Sequence, residues 1–204
     1  MKKFCLINIW LLGLFMAPAT KAQKKVHEPA FRHGKENAVI FMRNYFYNKY
    51  GKDKFMDTIC LQSITFVKFR LDKVGQISQV ECSIGTFPPL AEALEETVRF
   101  TSGLWEPRKI GRKAVESRDF LLPIVYNIGL LCEKEEIKEN FAEGFWRMHR
   151  FEGSPQFRYS ELYKYSDQSL DCILLHPLYV EKLSPNICFP SPTREQVEKM
   201  RKGE

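Results

Sequence analysis

Ser63-Ile64-Thr65-Phe66-Val67-Lys68-Phe69-Arg70-Leu71-Asp72, Lys73-Val74-Gly75 and Gln76-Ile77-Ser78-Gln79-Val80-Glu81-Cys82 read as a strand, a tight turn and a second strand. Val67, Phe69 and Leu71 alternate with Lys68, Arg70 and Asp72, the period of two expected of a strand with one buried face. Gly75 supplies the positive φ that a short hairpin loop requires. A turn centred near Val74 sets Cys82 opposite Phe66.

Outward from the hairpin the period changes. Behind Pro88-Pro89, the residues Leu90, Leu94, Thr97, Val98 and Thr101 recur at helical spacing, and Gly103 ends the run. Trp105-Glu106-Pro107 follows, then the basic turn Arg108-Lys109-Ile110-Gly111-Arg112-Lys113, then a third strand from Ala114 to Ile128. On that strand Phe120, Leu122, Ile124, Tyr126 and Ile128 share a face, and Ser117, Asp119, Leu121 and Pro123 the other. Pro123 cannot donate to a ladder, which predicts an edge position for part of the strand. Upstream, Lys35 to Tyr50 is an amphipathic helix by its stripe of Val39, Met42, Phe46 and Tyr50, joined by Ala38, Tyr45 and Lys49 and ended by Gly51. Trp105 reads as a cap on the core where the second helix turns into the next strand.

These elements resemble, in their order, the C-terminal domain of TonB-type periplasmic proteins. The residues that carry the resemblance are the strand ending in Asp72, Gly75, the strand from Ile77, the helix from Leu90, Trp105-Glu106-Pro107, Gly111 and Leu121-Leu122-Pro123-Ile124-Val125-Tyr126. Pro29-Ala30-Phe31-Arg32-His33-Gly34 is similar to the family's Pro-x-Phe-x-Gly-Gly lead-in, so the likeness covers residues 27–129. The chain departs from the pattern at Gly51, where Tyr-Pro is usual, and at Ser63, where Gly is usual. The resemblance implies an α+β fold: a three-stranded antiparallel sheet with helices packed on one face. Asp72, Gly75, Trp105, Pro107 and Gly111 are its structural motif residues.

Residues 1–22 read as a secretory signal. Lys2 and Lys3 precede an apolar run from Phe4 to Met16, and Thr20-Lys21-Ala22 is a small-residue cleavage site. That run is shorter than the roughly 20 residues of a spanning helix. The location expected is periplasmic or secreted, the alternative being an inner-membrane anchor from an uncleaved signal. Loss of Lys2, Lys3 and Lys21 lowers the formal charge from +6 to +3. Residues 23–34 are expected to be an irregular lead-in, 35–129 the TonB-like domain and 130–204 a mostly helical or irregular extension. Helices are predicted at Glu133 to Met148, Ser160 to Tyr165, Leu170 to Leu183 and Thr193 to Lys202.

No His pair has metal-ligand spacing, and neither a Gly-x-Ser-x-Gly elbow nor a phosphate-cradling Gly loop occurs. The expectation is a non-enzyme without cofactor or metal. No basic run with interleaved aromatics marks a nucleic-acid footprint, and no small-molecule substrate is evident. Cys60, Cys82, Cys132, Cys172 and Cys188 remain after the leader, an odd number, with Cys172 and Cys188 the most plausible bridge and five buried thiols the alternative.

What the TonB likeness implies is binding. Such domains engage outer-membrane transporters by taking a short transporter segment as an extra strand, through main-chain hydrogen bonds. The implied partner-binding residues are Val115, Ser117, Asp119 and Leu121 of the last strand, and the partner a transporter or a second copy of the chain. The alternative is a secreted structural or assembly protein of the same fold with no energy-coupling role, its edge strand covered by its own C-terminal extension or by a second copy.

Overall fold

The computed structural model describes residues 25–32, 34–51, 62–128, 147–158 and 172–181, with Leu162, Glu198, Lys199 and Lys202. The leader, Cys60, Cys132, Cys188 and the helix predicted from Glu133 lie outside the described residues or almost wholly so. The fold is α+β. Strands β1 (Val26–His27) and β2 (Ala30–Phe31) precede helix α1 (Lys35–Tyr50); β3 (Gln62–Leu71) and β4 (Ile77–Cys82) form the hairpin; helix α2 spans Pro88–Phe100. Then come β5 (Trp105–Glu106), β6 (Arg108–Ile110), β7 (Lys113–Val115), β8 (Asp119–Asn127), β9 (Met148–His149), β10 (Phe157–Arg158), β11 (Cys172–Leu174) and β12 (Leu178–Glu181).

β3 pairs antiparallel with β4 on one side and β8 on the other. The faces follow the alternation: Val67, Phe69 and Leu71 of β3 and Phe120, Leu122, Ile124 and Tyr126 of β8 enter one core with α1 and α2. Both helices lie on that face because their apolar stripes have nowhere else to bury. The buried stripe of α1 is shifted from the sequence pattern: Phe41 and Tyr47 are buried with Ala38, Val39, Met42 and Phe46, whereas Tyr45 and Tyr50 are half-buried and Lys49 is exposed, because the helix touches α2, β2 and β12.

Gly75 has φ +84°, and a Cβ there would stand 2.1 Å from the Trp105 carbonyl oxygen. The turn therefore needs glycine twice over, for its backbone conformation and for the approach of β5. Asp72 closes the turn with Oδ1, which accepts the N–H groups of Val74 and Gln76, each at 2.8 Å. Leu71 faces Ile77 as a turn at Val74 requires, but Arg70 faces Gln79, so Ser78 is a bulge and Cys82 meets Val67 rather than Phe66.

Trp105 is buried under Phe31, Phe69 and Phe120, and its Nε1 donates to Thr101 Oγ1 at 2.9 Å. It closes the core between α2 and β5, as the sequence predicts.

Three expectations are corrected. The lead-in is not irregular: β1 pairs with β6, and β2 with β5. The strand from Ala114 is broken at residues 116–118 into β7, which belongs to a separate three-stranded sheet with β1 and β6, and β8. Over residues 172–181 the extension is strand rather than helix: β11 and β12 replace the helix predicted from Leu170 to Leu183 and make the main sheet five-stranded. Glu198, Lys199 and Lys202 are helical, within the predicted last helix.

The far face of the sheet is covered too. Ile64, Phe66 and Leu121 pack with Phe151, Phe157 and Leu162, Phe66 and Phe157 meeting edge to face at 5.0 Å. The Ile84 N–H donates to the Arg150 carbonyl at 2.9 Å, anchoring this cover to the end of β4.

Candidate functional site

The four residues expected on an open ribbon do not form one. Val115 ends β7 and pairs with Arg108. Ser117 is buried and closes the end of β3: its N–H donates to the Leu71 carbonyl, and its Oγ accepts the Leu71 N–H, both at 2.9 Å. Asp119 faces Phe69's end of β3 through its carboxylate, which accepts Arg70 Nε at 2.7 Å, and its backbone pairs with Cys172. Leu121 lies between Lys68 of β3 and Leu174 of β11. The edge assignment is therefore wrong. β8 has β3 along one flank, and β11 and β12 in tandem, both parallel to it, along the other.

Pro123 explains how a proline sits inside the sheet. Phe66, its partner on β3, turns its backbone toward β4, donating its N–H to Ser83 Oγ at 3.2 Å and accepting the Ser83 N–H at 2.8 Å. The Phe66–Pro123 pair thus shares no backbone hydrogen bond, and the missing donor of Pro123 points to the opposite flank. There the ladder breaks between Leu174 and Leu178, at Leu175-His176-Pro177, where no donor is required. Leu175 N–H returns to the Leu121 carbonyl at 2.9 Å, and Leu178 resumes pairing at Ile124.

Several outer groups of the five-stranded sheet are met by side chains. On β12 the Tyr47 hydroxyl accepts the Glu181 N–H at 2.7 Å and donates to the Tyr179 carbonyl at 3.3 Å. On β4 the Cys82 N–H donates to Glu95 Oε1 at 3.3 Å, and the Ile77 N–H to Ser102 Oγ at 3.0 Å. A short, bulged strand whose first and last donors are taken by side chains is a poor template for an added strand. Tyr47, Glu95 and Ser102 were not singled out by sequence reasoning, since nothing local distinguishes an edge guard from a helix surface residue.

No known family, curated protein or solved structure matches the chain.

An apolar cleft of about 200 Å3 lies beside β8, between the sheet and the 151–157 segment. Leu121, Phe151, Pro155 and Phe157 make it apolar, and Lys68 and Asp119 stand at its rim. Lys68 Nζ pairs with Glu81 at 2.5 Å and lies 4.7 Å from the centre of the Phe151 ring. Asp119 pairs with Arg70, whose guanidinium is held still more firmly protonated by that bond. An apolar floor with paired charges at the rim suits a contact surface, where complementarity rather than a reactive group provides the selectivity. Among the described residues no three His, Cys, Asp or Glu side chains converge as metal ligands. No described helix is long and apolar enough to cross a membrane.

Of the motif residues, Gly75, Trp105 and Pro107 come together: Pro107 Cδ lies 3.8 Å from where a Gly75 Cβ would be. Gly111 is remote from them in role, with φ +64° at the β6–β7 turn and its N–H donated to the Lys25 carbonyl at 2.8 Å.

Proposed function

We propose that the chain is a secreted or periplasmic assembly protein of TonB C-terminal-like build, non-catalytic, whose guest-strand position is filled by its own C-terminal segment and which drives no transporter. The observation that carries this reading is the pairing of Leu178–Glu181 along Ile124–Asn127, on the flank that an incoming transporter segment would need. Leu178 and Val180 are fully buried in the main core, so displacing β12 would expose apolar surface as well as break the ladder. The partner in this reading is a protein that meets the cleft bordered by Lys68, Asp119 and Phe151 with its side chains, not an extended segment that completes the sheet.

The test is hydrogen exchange and affinity capture on the full chain. Outer-membrane transporters are passed over the immobilised wild type and over Val180→Pro, whose lost N–H faces β8. The expectation is no transporter capture by the wild type and unchanged amide protection at residues 119–127 and 172–181. Capture by the wild type together with loss of protection at 172–181 would return the chain to the strand-accepting class.

A further inference from the structure

Strands β1, β6 and β7 form a small sheet of their own that pairs with no strand of the five-stranded sheet. Its tip is the turn at Gly111, where a Cβ would meet nothing within 4 Å, so the tip stands in open space. From Arg108 to Lys113 the finger carries four cations and no carboxylate. Arg108 is engaged by Glu28 at 3.6 Å. Lys25, Lys109, Arg112 and Lys113 are exposed, and among the described residues no carboxylate lies within ion-pair distance of any of them.

The register adds an apolar component. Val26 is opposite Ile110, and Ile110 opposite Lys113, so the three side chains share one face of the finger. Val26 is 47 % exposed there, one of the few large apolar side chains left in solvent among the described residues. Lys109 projects from the other face, between His27 and Ala114. Unneutralised cations around a small exposed apolar patch match the boundary between lipid phosphates and acyl chains. A single-stranded nucleic acid is a poorer match, because β1, β6 and β7 carry no Phe, Tyr or Trp on which bases could stack in succession, only the single imidazole of His27 beside Lys109.

We propose that the β1–β6–β7 finger is a docking face for an anionic phospholipid surface. It is independent of the flank of β8, so either proposal can fail without the other.

The experiment is co-flotation of the full chain with vesicles of phosphatidylcholine alone or of phosphatidylcholine mixed with phosphatidylglycerol. Binding is expected on the mixed vesicles only, weakening steeply as salt shortens the reach of the charges. At roughly fivefold per basic residue near such a surface, the variant Lys109→Glu/Arg112→Glu/Lys113→Glu should bind at least about a hundredfold more weakly. Val26→Ser should bind more weakly but keep its preference for the mixed vesicles, and Lys202→Glu, an exposed position outside the finger, should match the wild type. Circular dichroism checks that each variant is folded; should the triple variant unfold, the single reversals Lys109→Glu and Lys113→Glu carry the same sign. Equal binding to both vesicle types, no binding to mixed vesicles, full displacement by inorganic phosphate, tighter binding to oligothymidylate, or a loss caused by Lys202→Glu would each overturn the assignment.

Discussion

The Tyr47 hydroxyl of α1 accepts the backbone N–H of Glu181 at 2.7 Å, clasping the outermost strand of the sheet from a helix 134 residues away in sequence. Because the same hydroxyl donates to the Tyr179 carbonyl, one atom satisfies both outward groups at the middle of β12. Tyr47→Phe should therefore cost about 1–2 kcal/mol in urea unfolding, the net worth of two such bonds. The amides of Leu178–Glu181 should exchange faster in that variant, while those of β3 keep their protection.

Gly75→Ala should be far more damaging than its place in a hairpin turn suggests, because Gly75 is buried. The added methyl would stand 2.1 Å from the Trp105 carbonyl at a φ of +84°. The conformation alone costs about 1–2 kcal/mol for a residue with a Cβ, and the clash adds to it. Thermal unfolding followed by tryptophan fluorescence reads both the loss of stability and the disturbance around Trp105.

Acid sensitivity should contain a contribution from the clip between the helices. Lys49, Tyr45 and Tyr50 of α1 all hydrogen-bond the Glu96 carboxylate of α2. The Lys49 bond first, and the Tyr50 bond next, hold the Glu96 carboxyl below its ordinary value of 4.5. A depressed carboxylate contributes stability above its unfolded pKa and loses it as pH falls through the folded one, so the loss should set in below about pH 4.5. The pair is half exposed, so the contribution should not exceed about 1 kcal/mol. Glu96→Gln should flatten that part of the stability profile, measured by chemical denaturation across the acid range.

Cys82 should be inert in the folded chain. Burial, reinforced by Glu95 and Glu81, pushes its thiol up to about 12, and Sγ faces the Ala91 carbonyl at 3.7 Å. Iodoacetamide at neutral pH should leave the Cys82 peptide unmodified in native protein and label it in urea, as read by mass spectrometry. Rapid native labelling would mean that β4 opens from α2.

Much of the architecture was legible because it is written in short periods. The alternation from Val67 to Leu71 and from Phe120 to Ile128 named the core faces of two strands, and Pro88-Pro89 with Leu90, Leu94 and Val98 named the second helix and its buried side. Asp72 and Gly75 named the turn. The one-residue bulge at Ser78 was not visible, since a polar residue in an exposed strand looks the same whether or not it is paired. The expected binding residues failed for a similar reason. Val115, Ser117, Asp119 and Leu121 share a parity, but residues 116–118 break the strand, so that parity does not describe one ribbon.

Leu178-Tyr179-Val180-Glu181 alternates buried and exposed as a strand should, yet four residues after Pro177 also fit a helix turn. Only the space beside β8 decided between them.

By itself, the order of side chains determined which faces of α2, β3 and β8 are apolar and where the chain must turn, because those properties depend on neighbours two to four positions away. The flank of β8 depended on a segment more than fifty residues downstream finding the break that Pro123 makes, and on Tyr47 reaching across to hold it. Backbone groups carry no sequence signature of their partners, so whether a strand stands open or is already paired was left to tertiary structure.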